Sequence, residues 1–242
     1  MKACTQNPII IAEGFKGGVG KSTLAVTLVE YCIARQMPVT LIETDKTCPD
    51  VGAIYRDKIP CEHVDLGKID GGGWMKLISF AEAHHEETIV INMSAASKSS
   101  MTAYNDMIAK GFKLLQRPVI IFFALGIQKQ SVVQLRDAIE LFSFADRIVG
   151  VKNKHNGAVG EFVAYDNAKN NGEFGHIRDM VLPKLQRGLS LKMFDDDLSL
   201  ADLLVDKKLE FSEKVALNDW VSHVFAEYDG ISDIFQLPKQ HV

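Results

Sequence analysis

Residues 8–24, Pro8-Ile9-Ile10-Ile11-Ala12-Glu13-Gly14-Phe15-Lys16-Gly17-Gly18-Val19-Gly20-Lys21-Ser22-Thr23-Leu24, decide the fold. Three consecutive isoleucines between a proline and a glycine read as a short strand buried on both faces. The glycines at 14, 17, 18 and 20 let the backbone turn tightly and aim several N–H groups inward. From Ser22 to Arg35 the residues Leu24, Leu28, Tyr31 and Cys32 recur at helical spacing, so a helix opens directly after the glycines. Strand, glycine loop and helix in that order make a cradle for anionic oxygens, because loop amides and the positive end of the helix dipole converge. Lys21 places its ammonium on the β and γ phosphates of a nucleotide, and the Ser22 hydroxyl can ligate Mg²⁺ bridging them. Gly17, Gly18, Val19, Gly20 and Thr23 complete the expected nucleotide-binding loop.

Outward from this loop, short apolar runs alternate with helical patterns. Strands are expected at Pro38–Ile42, Glu87–Met93, Pro118–Ala124, Arg147–Val151 and Met180–Leu182. Helices are expected at Trp74–His84, Met101–Leu115, Gln128–Phe142, Gly157–Ala168 and Glu213–Tyr228. The alternation predicts an α/β fold: one three-layer domain with a mostly parallel twisted sheet covered by helices on both faces. No composition break argues for a second domain, so residues 1–242 are read as one unit, with 205–242 a C-terminal helical extension. In the last helix Trp220, Val221, Val224, Phe225 and Tyr228 form a packing stripe. The Asn- and Gly-rich stretch 154–175 is expected to include a loop.

The chain has 242 residues, 47% of them apolar and 24% charged, which is ordinary globular composition. Its formal net charge of −4 argues against wholesale coating of nucleic acid or anionic membrane. A local exception is 147–192, where eight Lys and Arg meet four Asp and Glu, enough for weak, salt-sensitive, sequence-independent DNA contact. The cysteines at 4, 32, 48 and 61 form no C-x-x-C pair, so reduced thiols and a cytoplasmic setting are expected. No apolar run reaches the roughly 18 residues needed to span a bilayer, and the last helix lacks a basic polar face, so no membrane partner is expected.

The loop departs from the common G-x-x-x-x-G-K-S/T pattern, since its first glycine would fall at Phe15. It matches the variant K-G-G-x-G-K-S/T over Lys16–Ser22 and so resembles the deviant Walker A loop of the ParA/MinD family of ATPases. The resemblance implies a P-loop NTPase fold of the SIMIBI type, with ATP and Mg²⁺ as ligands. It also implies a homodimer formed on ATP binding, in which Lys16 reaches the phosphates of the twin subunit and acts much as an arginine finger does. By the same resemblance Asp45 orients the attacking water and lies near Mg²⁺, while Glu43 stands where relatives carry an aspartate. Asn92 stands where relatives carry the Asp that holds a water on Mg²⁺. It can still meet that water, but without charge, so hydrolysis is expected to be slow and Asn92→Asp to speed it. Asn153 aligns with a base-reading Asn, and Pro183 with a segment holding the base through backbone.

No cysteines suit an iron–sulfur cluster, and the basic C-terminal helix of MinD is absent. The departures look most like divergent plasmid-stability and conjugation members of the family (StbB- or TraL-like). The implied function is a slow ATP-dependent dimerisation switch in plasmid stability, segregation or DNA positioning, cytoplasmic or nucleoid-associated, with a partner protein that stimulates it. An ATP-gated adaptor with little hydrolysis is the alternative. A P-loop ligase resembling dethiobiotin synthetase would need a small-molecule carboxylate or amine site, and no such constellation is present.

Overall fold

A computed structural model of the chain describes residues 7–67 and 70–236. Cys4 and the last residues of the expected extension lie outside the described residues.

Seven strands form one sheet: β1 (Ile9–Glu13), β2 (Val39–Glu43), β3 (Cys61–His63), β4 (Thr88–Asn92), β5 (Val119–Leu125), β6 (Arg147–Asn153) and β7 (Arg178–Leu182). Their order is β3-β2-β4-β1-β5-β6-β7, and every pairing is parallel. The central strands are buried along their whole length, which is why their sequences run apolar without alternation. On one face lie α1 (Lys21–Ala34), α2 (Asp50–Tyr55), α7 (Arg187–Asp195), α8 (Leu200–Val205) and α9 (Phe211–Asp229), packed on Ile10, Leu41, Val90 and Phe122. On the other lie α3 (Gly72–Ala83), α4 (Ser97–Leu114), α5 (Lys129–Leu141) and α6 (Val163–Asn170), packed on Ile9, Ile11, Ile91 and Phe123. The chain passes from β1 outward to β2, then crosses from β4 to β5 on the far side of β1. This reversal opens a crevice at the carboxyl ends of the strands, where α/β sheets bind ligands.

The expected α/β architecture is therefore the observed one, and all six strands read from sequence are present within a few residues. The expected helix Gly157–Ala168 resolves into a 3₁₀ turn at Val159–Glu161 and α6, separated by the buried Phe162. α9 is no loose appendage. Leu217, Trp220, Val224 and Tyr228 are buried, and the Tyr228 hydroxyl meets Thr27 Oγ1 of α1 at 2.7 Å inside the core. Among the described residues no helix is long and apolar enough to cross a membrane.

Candidate functional site

The loop after β1 is shaped by glycines where sterics demand them. Gly18 and Gly20 hold φ of 75° and 93°, a region that side chains other than glycine rarely adopt. A Cβ on Gly20 would lie 2.1 Å from Asn153 Nδ2. Phe15, in place of the usual first glycine, is only 9% exposed and packs edge-on against Phe123 and parallel to Phe142. The missing glycine is thus replaced by an aromatic anchor that pins the loop to the opposite face of the sheet. Lys21 is buried, and its ammonium donates to the carbonyls of Gly14 and Lys16, both at 3.0 Å. Burial pulls its pKa down, opposed by the charges of Glu13 and Asp45. Lys16 is exposed instead and is absent from the walls of the cleft.

That cleft, about 410 Å³, is lined by Gly17, Gly18, Gly20, Lys21, Ser22 and Thr23 together with Asp45, Asn92, Asn153 and Pro183. The structure therefore brings together every candidate site residue except Lys16, which is exposed, and Val19, which is buried. His155, Leu185, Ser190 and Phe194 also line it. Sequence reading missed Ser190 and Phe194 because α7 is short and carries no phosphate-binding signature, and His155 and Leu185 because they sit in the connections that follow β6 and β7.

Between β2 and β4 the polar groups are interlocked. Glu43 and Asn92 are direct partners in the parallel register. Asn92 Nδ2 donates to both Glu43 carboxylate oxygens at 3.0 Å, and the same oxygens accept from Asp45 N and Gly52 N. Desolvation pushes the Glu43 carboxyl up to about 7. Thr44 Oγ1 donates to Asn92 O and accepts from Ser94 N, joining the two loops. Asp45 Oδ1 accepts from Thr47 N and Cys48 N, a turn that holds the carboxylate at the cleft wall.

A further acid escaped the sequence reading. Glu13, 0% exposed at the end of β1, accepts from Gly14 N at 2.7 Å and faces Ser97 Oγ at the start of α4 at 3.5 Å. Burial raises its carboxyl to about 7, against the pull of the Gly14 hydrogen bond, Lys21 and Ser97. Its signal in the sequence is simply an acid inside an otherwise apolar strand.

At the far end of the cleft, Asn153 Nδ2 and Asn156 Nδ2 both donate to Val19 O, while Asn153 Oδ1 accepts from His155 N. Asn153 thus braces the loop, and reading a base would require these bonds to open. Pro183 O accepts from Trp220 Nε1 of α9 at 2.8 Å, which fixes that wall. Of the basic residues in 147–192, Lys152, Lys169, Arg178 and Lys192 are held by Asp166, Asp179, Asp233 and Glu213. Two of those acids lie beyond the segment, so its formal excess is partly cancelled in the fold.

The residues present fit a magnesium-bearing nucleotide. Among the described residues no cluster of three or more His, Cys, Asp or Glu could hold a metal alone, as suits an ion carried largely by phosphates and water. Asn92 Oδ1 is buried without a donor, at a wall shared with Ser22 and Asp45. An acceptor left without a donor suits a metal-bound water.

No protein-family profile matches the chain. It is 26% identical over 225 residues to protein MobD of Acidithiobacillus ferrooxidans, spanning 92% of this chain and 97% of that one. Its fold is similar to that of a McdA variant from Cyanothece in complex with ATP, at a TM-score of 0.52 and 12% identity over 98% of this chain and 99% of the other. It is also similar to cell division protein FtsY of Thermotoga maritima, at a TM-score of 0.53 and 12% identity, covering 76% of this chain and 64% of that one. A nucleotide-binding protein of Archaeoglobus fulgidus in complex with ADP matches at a TM-score of 0.50 and 14% identity, covering 79% and 86%. The likeness is one of fold: a parallel α/β sheet with helices on both faces.

Proposed function

We propose that this chain is an ATP-dependent dimerisation switch with slow ATPase activity, acting in plasmid stability, segregation or DNA positioning, with a link to conjugation. The observation that carries the reading is how the loop divides its two lysines. Lys21 is buried against the cradle, whereas Lys16, five residues earlier, is exposed and does not line its own cleft. One ammonium serves the loop's own phosphates; a second one, exposed, suits the phosphates of a facing copy. The similarity to McdA, an ATP complex matched over nearly the whole of both chains, supports ATP as the nucleotide.

In this reading the Gly17–Gly20 amides and the start of α1 bind the β phosphate. Lys21 exchanges its two carbonyl partners for phosphate oxygens, so binding replaces bonds already made rather than creating a new orientation. Ser22, Asp45 and Asn92, the last through water, hold Mg²⁺, which would supply charge neutralisation on the transferred phosphoryl group. Asp45 orients the attacking water from its turn. Lys16 of each subunit completes the other's site, and hydrolysis reopens the pair. Lys154, Lys184 and Arg187 are exposed at the carboxyl edge of the sheet and have no ion pair among the described residues. They are the groups through which DNA contact would run, in company with a stimulating partner protein in the cytoplasm or on the nucleoid.

The test is ATP turnover per subunit against protein concentration, with and without nonspecific DNA. A dimer switch gives turnover that rises with concentration and then levels. Turnover per subunit that stays flat over the whole range contradicts it. One observation favours a second reading, an ATP-gated adaptor with little hydrolysis: Asn92 is neutral and its amide nitrogen is spent on Glu43. Concentration-dependent dimerisation with no turnover, even with DNA present, selects that reading.

A further inference from the structure

The two departures from the family's acidic pattern, Glu43 and Asn92, are in contact. They are register partners on adjacent strands, 1% and 2% exposed, and Asn92 Nδ2 sits 3.0 Å from each Glu43 oxygen. The carboxylate is itself anchored by Asp45 N at 2.8 Å and Gly52 N at 3.1 Å. Close approach of α2 depends on glycine at 52, where a Cβ would lie 3.1 Å from Glu43 Cγ and 2.5 Å from His63 Cε1. Both Glu43 oxygens already serve as acceptors, for Asp45 N and Gly52 N, so the group selects the nitrogen end of the amide. Turned the other way, two buried acceptors would face each other. The oxygen end is thereby forced away from Glu43, and Asn92 Oδ1 is left buried with no donor, on a residue that lines the cleft.

We propose that Glu43 is a positioning residue: it locks the Asn92 amide so that Oδ1 is offered to a water on the nucleotide's Mg²⁺. This rests on the ATP reading given above. It also changes the expectation for Asn92→Asp, which from sequence alone should speed hydrolysis. In the fold that substitution sets two buried acids face to face, so one of them must take up a proton, whereas a glutamine at 43 supplies a donor without it.

The test uses the full chain as wild type, Glu43→Gln, Asn92→Asp and the double variant. A fluorescent ATP analogue is titrated with Mg²⁺ and with chelator, and unfolding is followed without nucleotide. Glu43→Gln frees the amide to turn, so the gain in affinity due to Mg²⁺ falls about tenfold while affinity in chelator holds, as expected for one lost hydrogen bond. Asn92→Asp lowers the unfolding midpoint. The double variant regains much of that loss, because the glutamine donates to the new acid, although one of Asp45 N and Gly52 N then loses its acceptor. Should Asn92→Asp not fold, recovery of folded protein in the double variant supports the lock equally. A full magnesium gain in Glu43→Gln overturns the proposal, and so does a double variant no more stable than Asn92→Asp. Wild type that binds no nucleotide under either condition refutes the ATP reading and the magnesium role, while the unfolding cycle still decides whether Glu43 locks Asn92.

Discussion

Gly20 sits at φ 93° with Asn153 Nδ2 where a side chain would begin, so Gly20→Ala meets both backbone strain and a collision. The strain alone is about 1–2 kcal/mol. Displacing Asn153 also releases Val19 O, so nucleotide titration should show binding lost even where urea unfolding still shows a folded chain. Lys21→Ala should abolish ATP binding in the same titration, since it deletes the cation at the phosphates. Glu13 gives a pH prediction. Its carboxyl stands at about 7 in the fold against an ordinary 4.5, chiefly through burial. Between those values the folded chain keeps a proton that the unfolded chain has released, so stability falls as pH rises through the window and levels off above it. Glu13→Gln should make this slope shallower by about 2–3 kcal/mol across the window in denaturant unfolding, leaving the share of Glu43, whose carboxyl is raised over the same range. Equal slopes for variant and wild type would exclude the buried acid as its source. At this scale the sequence is informative where chemistry is local. Lys21, Ser22 and the glycines are picked out as a candidate phosphate loop by their spacing alone. Glu43 and Asn92 are 49 residues apart, and only the strand register reveals that they touch.

Elements are legible in proportion to their length. Buried strands such as Val119–Leu125 and long helices such as Phe211–Asp229 carry enough periodicity to be read directly. α2 and α8, six residues each, and β3, three residues, are too short to show a period, and their positions are set by tertiary contacts. The same limit hides α7, and with it Ser190 and Phe194 in the cleft wall. The stripe on α9 is a packing face, as its spacing implies, but spacing says nothing of its polar anchors. Tyr228 pairs with Thr27 in the core, and Trp220 with Pro183 O. Thr27 Oγ1 donates to Leu24 O, which makes Tyr228 the donor in their bond. Tyr228→Phe should therefore cost about 1 kcal/mol, read as a lower urea midpoint at unchanged slope. An unchanged midpoint would mean that α9 is held by apolar contact alone.

For the whole molecule, the sheet order puts the ends of β1, β2, β4, β6 and β7 around one cleft. The same edge carries Lys16 and the exposed Lys154, Lys184 and Arg187. The formal charge of 147–192 overstates its basic character, because Asp233 and Glu213 come from distant sequence to neutralise part of it. What composition could not show is that one lysine of the loop is buried and the other exposed, and the proposed switch turns on that division. Sedimentation of wild type and Lys16→Ala, each saturated with ATP and Mg²⁺, tests it most directly. The account predicts a wild-type dimer, and a Lys16→Ala chain that binds ATP as tightly yet remains a single copy. Wild type that stays monomeric when saturated, or a Lys16→Ala variant that dimerises equally, would contradict it.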